Sequence, residues 1–171
     1  MSVWTLADLH STRRLGASLG RHCPWDHPGP RCLFLSGELG TGKTTLAAAL
    51  LQALGVREAV RSPSYALIEI YGLGAHLAVH VDLYRLKGAA ELEQLGLRDY
   101  AQPDTLLLIE WPEHGEGALP RADLWLRLEL ARTAGSDDDA EGRICRARAH
   151  SSAGEAWLAS ASREIPVSDV I

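Results

Sequence analysis

Asparagine is missing from the 171-residue chain, and lysine occurs only twice, as Lys43 and Lys87. The first absence rules out an Asn-Lys-x-Asp motif, so guanine is not read in that way. The second leaves arginine as the carrier of nearly all positive charge and makes Lys43 conspicuous. Acids outnumber bases, 22 to 17, giving a net charge of -5 and a pI near 5.8. That balance argues against an electrostatically driven grip on bare nucleic acid or an anionic membrane, although a partner can supply a basic surface. Cysteine is scarce. Cys23, Cys32 and Cys145 form no CxxC pair, which suits a reduced, cytoplasmic setting. No apolar run approaches bilayer length, and Asp8 falls where the apolar segment of a leader would lie, so no membrane association is expected. Repeats and linkers are also lacking, so a single domain over 1–171 is expected.

Residues 2–6 read as a short strand and Asp8 to Gly20 as a helix, with Leu9, Leu15 and Leu19 as its apolar stripe and Ser11 or Thr12 as caps. The segment 22–32 is rich in proline and glycine and reads as a loop. Its His22, Cys23, His27 and Cys32 are set aside as zinc ligands, since nothing supplies a closed set of four. The run 32–36 is apolar throughout, as in strands buried on both faces. A helix from Thr44 to Leu54 follows, with Gly55 to stop it. Runs 65–71 and 77–84, joined by 72–75, are close enough only for antiparallel pairing. A short helix is predicted over 89–98, a buried strand over 105–110, and an alternating strand over 124–130. The acidic stretch 133–142 reads as a solvated loop, 144–151 as an edge strand, and 154–162 as the last helix. Strands alternating with helices predict an α/β fold with a mixed, parallel and antiparallel, sheet.

Chemistry enters at Gly37-Glu38-Leu39-Gly40-Thr41-Gly42-Lys43-Thr44, a full G-x-x-x-x-G-K-[ST] match between a buried strand and a helix. Such glycines let backbone N–H groups curl around phosphate oxygens, and the helix N-terminus adds its partial positive charge. Lys43 would reach the β- and γ-phosphates, and the Thr44 hydroxyl would take a place on Mg²⁺. With no guanine-reading motif, ATP is the expected nucleotide. A second acid is needed to organise magnesium and water. Glu110, at the end of an apolar strand, is the first candidate; an ordinary strand-terminal acid is the plainer alternative. Asp82 is the second, its alternative being a partner for Arg85. Ser62, Pro63 and Ser64 lie where a phosphate-sensing loop or a plain turn would serve equally. Trp25, Trp125 and Trp157 read as packing residues, and no run of arginines with interleaved aromatics marks an RNA path.

Taken together, GELGTGKTTL (37–46), SPSYALIEIY (62–71), HVDLYRL (80–86), ELEQLGLRDY (91–100) and LLIEWPEHGEGALP (107–120) resemble the TsaE family, with SSAGE (151–155) echoing its C-terminal end. The family consists of P-loop ATPases of tRNA threonylcarbamoyladenosine modification, built as a P-loop NTPase-like three-layer sandwich. The resemblance implies catalytic roles for Lys43, Asp82 and Glu110. It also implies nucleotide contacts from Thr12, Gly40, Thr41, Gly42, Lys43, Thr44 and Thr45, and magnesium held by Thr44 and Glu110. Trp111 would pack near the nucleotide, and 62–65 would be switch-like. It further implies TsaD and TsaB as partners, with tRNA met only indirectly through them. Ser64 replaces the family's usual threonine and keeps its hydroxyl; Glu38 replaces a commoner aspartate. A small-molecule kinase and a nucleotide-gated module with negligible hydrolysis are the competing readings.

Overall fold

Six consecutive buried residues make Arg31–Ser36 (β2) a central strand, and the same holds for Thr105–Glu110 (β5). Such runs can only lie between two covering layers. The computed structural model describes residues 1–131, 142–165 and 167, so the acidic stretch 133–142, all but its last residue, lies outside the described residues. In chain order the elements are β1 (Ser2–Leu6), α1 (Leu9–Arg21), β2, α2 (Lys43–Ala53), β3 (Ile68–Leu73), β4 (His76–Asp82), α3 (Ala89–Gln94), β5, a 3-10 turn (Pro112–Gly115), β6 (Leu124–Leu130), β7 (Arg143–Ala149) and α4 (Ser152–Glu164).

The seven strands among the described residues join one sheet in the order β1-β7-β6-β2-β5-β4-β3. The run β4-β5-β2-β6 is parallel, and β3, β7 and β1 pair antiparallel at its flanks. The mixed α/β sheet is therefore as expected. On one face Leu33, Leu35, Leu106, Leu108, Leu124 and Leu126 pack with Leu15, Leu19, Leu46 and Leu50 of α1 and α2 and with Trp157 of α4. On the other, Cys32, Phe34, Val79, Val81, Leu107 and Ile109 pack with Leu83, Leu92, Leu97 and Ala122. No helix among the described residues is long and apolar enough to cross a membrane.

Helix α1 fixes the loop that follows β2 by its closeness to α2. A Cβ at Gly16 would stand 2.4 Å from the Leu46 carbonyl oxygen, and one at Gly20 2.5 Å from that of Leu50. The two backbones therefore touch, with no side chain between them at these points.

Local expectations needed correction in four places. The cap of α1 is Asp8, whose Oδ1 accepts from the Ser11 N–H at 2.7 Å; Ser11 and Thr12 are already inside the helix. Leu9 is 45% exposed, so the buried stripe of α1 is Thr12, Leu15, Gly16 and Leu19. Strand β7 is not an edge: it lies between β6 and β1, a long-range pairing that its own sequence does not reveal. Strand β3 begins three residues later than its apolar run, because Leu67 takes a positive φ of 65° and turns the chain.

Candidate functional site

The parallel strands deliver their C-terminal ends to one place. β2 runs into the glycine loop, β4 ends on Asp82 and β5 on Glu110, and these two acids are register partners. In an open α/β sheet, ligands bind in the crevice outside these ends. A cleft of about 540 Å³ opens there, lined by Gly40, Gly42, Lys43, Thr44, Thr45, Ser62, Ser64, Asp82 and Glu110, and also by Leu39, Tyr84, Arg85 and Trp111.

The loop is closed on its own lysine. Gly42 caps α2 in the left-handed region, φ 97°, a conformation other L-residues adopt only at a cost. The Lys43 ammonium donates to the Gly37 carbonyl at 2.8 Å and the Glu38 carbonyl at 2.9 Å. It also sits 3.8 Å from the centroid of the Trp111 ring, a cation–π contact. Burial pulls the Lys43 pKa below its ordinary value, opposed by the charges of Glu110, Asp82 and Glu113. Trp111 reaches this position from a left-handed backbone, φ 58° and ψ 48°, with its N–H donated to the Leu35 carbonyl at 3.0 Å.

Opposite the lysine is a buried acid network. The Thr44 hydroxyl donates to Glu110 Oε2 at 3.0 Å, and His80 Nε2 donates to Glu110 Oε1 at 2.9 Å. His80 is fully buried and its Nδ1 has no partner among the described residues. Asp82 accepts from the Ser62 hydroxyl and, at 2.9 Å, from the Tyr84 N–H. Hydroxyl, carboxylates and a buried cation thus face one another across a space open to a ligand.

Of the residues singled out in the sequence, the cleft gathers Gly40, Gly42, Lys43, Thr44, Thr45, Asp82 and Glu110, together with Ser62 and Ser64. Two lie outside its lining. Thr41 is buried, its hydroxyl donated to the Glu38 carbonyl at 2.8 Å. Thr12 stands behind the loop, its methyl carbon 3.6 Å from where a Cβ on Gly42 would be. His80 was passed over. Two-residue periodicity puts it on the same face of β4 as Asp82, and that was the available signal. The segment 22–31 also has a part to play. Arg31, 1% exposed, donates to the carbonyls of Pro24, Trp25, His27, Gly29 and Pro103. Cys23 and Cys32 are buried free thiols, and burial pushes the Cys23 thiol up to about 12.

Residues 6–138 match the model of the family described as threonylcarbamoyl adenosine biosynthesis protein TsaE. Three curated relatives carry the description tRNA threonylcarbamoyladenosine biosynthesis protein TsaE. The Haemophilus influenzae protein is 45% identical over 97 residues, 57% of this chain and 61% of its own length. The Streptomyces coelicolor protein is 43% identical over 112 residues, covering 63% and 72%. The Bacillus subtilis protein is 35% identical over 109 residues, covering 64% and 65%. The match thus spans about three-fifths of the Haemophilus relative. The crystal structure of YdiB from Bacillus subtilis superimposes with a TM-score of 0.74 over 94% of this chain and 93% of its own, at 24% identity. At that identity the likeness shows the fold.

Proposed function

This chain belongs to the TsaE family of tRNA threonylcarbamoyladenosine biosynthesis, and from that premise we propose that it is a magnesium-dependent ATPase working with TsaD and TsaB in the cytoplasm. One observation carries the reading: Lys43, Thr44, Asp82 and Glu110 converge in one cleft at the C-terminal ends of parallel strands.

The donor set suits magnesium. Mg²⁺ prefers hard oxygens and is held by one or two carboxylates together with substrate phosphates, and here a hydroxyl and a carboxylate oxygen lie 3.0 Å apart. Thr44 and Glu110 would hold the ion, which supplies charge neutralisation on the phosphates when bound. Gly40 and Gly42 leave the loop backbone bare for phosphate oxygens, and α2 presents its N-terminus to them. Lys43 would exchange its two loop carbonyls for phosphate oxygens, which answer its charge more strongly. His80 orients Glu110 from behind. Asp82, tied to Ser62 at one oxygen and to the Tyr84 N–H at the other, links the acid pair to the 62–64 segment. In this reading Asp82 orients an attacking water and couples it to that segment. Ser62, Ser64 and Trp111 form the part of the lining that a γ-phosphate would rearrange.

The test is ATP hydrolysis with and without Mg²⁺, by the chain alone and with a TsaB–TsaD pair. We expect turnover stimulated by the pair and lost in Glu110→Gln. Hydrolysis indifferent to the pair would return the kinase reading, and ATP binding without turnover in either setting would leave only a nucleotide-gated module.

A further inference from the structure

Among the described residues, one surface of the sheet is covered by no helix. β6 and β7 pair so that Trp125 faces Arg148 and Arg127 faces Arg146. Two-residue periodicity turns these four side chains to the same side. The opposite side of the same strands buries Leu124, Leu126, Leu128, Cys145 and Ala147 in the helix-covered core. On the bare side the Arg127 and Arg146 side chains are 67% and 41% exposed, and Arg148 is exposed. With Ser36, Trp125 and His150 they line a shallow depression of about 270 Å³.

Like charges directly opposite weaken a strand pair, so the Arg127–Arg146 juxtaposition works against stability. One acid answers both: Glu129 lies 3.0 Å from Arg127 and 3.5 Å from Arg146. Counting the described residues, the face therefore keeps an excess of positive charge, three arginines against one glutamate. Burial lowers the His150 pKa below its ordinary value, and the charges of Arg148 and Arg121 add to the shift. Beside the guanidinium groups stands a fixed ring. Trp125 donates its Nε1–H to Ser36 Oγ at 2.8 Å and packs edge-on against Phe34 at 5.4 Å between centroids.

We propose that this β6–β7 face binds RNA directly, Arg127, Arg146 and Arg148 engaging phosphates while Trp125 offers a ring for a base of a single-stranded segment. Guanidinium forks match phosphate oxygens in pairs, and sheet faces that combine cations with aromatics hold unpaired bases. An acidic protein would answer the arginines and leave the ring without a role. The choice of RNA rests on the family reading; the cationic face does not. Contact with tRNA then has a component made by this chain itself.

The experiment uses the full chain without nucleotide and a fluorescein-labelled anticodon stem–loop RNA, with anisotropy followed across KCl concentrations. Three phosphate contacts predict a log–log salt slope of about -2 to -3. Arg146→Gln/Arg148→Gln should weaken binding about tenfold or more and flatten the slope by about 1.4 to 1.8. The corresponding Arg→Lys pair should restore the salt slope, because the charge is kept, but recover only part of the affinity, because an ammonium makes no paired fork. Arg127→Ser serves as a second variant should the double substitution fold poorly, as judged by circular dichroism. Absence of RNA binding by the wild type, undiminished binding by a folded double variant, or tighter binding to polyglutamate than to RNA would each overturn the proposal. Mg²⁺-ATP binding, measured on the same samples, should be unchanged in the variants. RNA binding intact in a chain that never hydrolyses ATP would sink the ATPase reading alone.

Discussion

Two buried cations, Arg31 and Lys43, sit at opposite ends of β2 and its loop and are treated in opposite ways. Arg31 has five N–H donors, and the five hydrogen bonds it makes to carbonyls of 24–29 and Pro103 use all of them. Lys43 has three donors and spends two on carbonyls of its own loop, with the Trp111 ring over its head. One charge is saturated; the other is held in reserve beside a cleft. The difference separates a cation whose donors are all used inside the fold from one with a donor to spare beside a cleft, and burial alone does not make that distinction, since both are nearly inaccessible.

Substitution should split the two. Arg31→Gln leaves several half-buried carbonyls without donors, so the unfolding free energy should fall by about 2 kcal/mol or more, read from denaturant curves, with ATP binding retained. Lys43→Met should do the reverse. Hydrolysis should drop about 10²–10³-fold, while stability stays within about 1 kcal/mol because a desolvated charge is exchanged for an apolar chain of similar length. A loss of stability matching that of Arg31→Gln would erase the contrast. A third substitution sharpens it. His80 is also only half used, one nitrogen on Glu110 and the other without a partner among the described residues. His80→Leu should weaken Mg²⁺-dependent nucleotide binding about tenfold, with His80→Gln recovering part of it, as groups behind a metal ligand commonly do.

The smallest effect is in pH. Burial lowers the Lys43 pKa below its ordinary 10.5, so the unfolded chain holds that proton more tightly than the folded one. Stability then rises with pH between the folded value and 10.5. The stability of the wild type relative to Lys43→Met should therefore improve as pH climbs through that window, measured by denaturation at several alkaline pH values. A difference that stays flat, or reverses, would mean that the neighbouring acids outweigh the burial.

What could be read in the sequence follows from how local each signal is. β2, β5 and β6 announced themselves because burial on two faces or on one writes directly into consecutive residues. Glycine loop, lysine and threonine were legible because phosphate binding by backbone requires them side by side. Arg31 was not, since its partners are carbonyls, and every residue type has one; the faint clue was a loop with Pro24, Pro28 and Pro30, which lack an N–H to donate in return. The arginine face was hidden for another reason. Arg127 lies on one strand and Arg146 and Arg148 on another, with acidic residues between them in the chain, and only the β6–β7 register puts them together. Taking β7 for an edge strand was the same blindness: nothing in RICRARA names β1 as its neighbour.

The glycine contacts between α1 and α2 bear on where the molecule can give way. Because Gly16 and Gly20 bring backbone against backbone, no side chain cushions α1 from α2 at those two points, and α2 with the loop at its head has little room to shift. Across the cleft the chain is sprung. Leu67 and Trp111, the two non-glycine residues with positive φ among those described, stand in the segments that carry Ser62 to Ser64 and the 112–115 turn. Residues in that conformation store energy of order 1 kcal/mol or more each, which a rearrangement releases. Any rearrangement that ligand binding brings to the cleft is therefore expected on that side, beside Tyr65 and Arg85, rather than on the helical side.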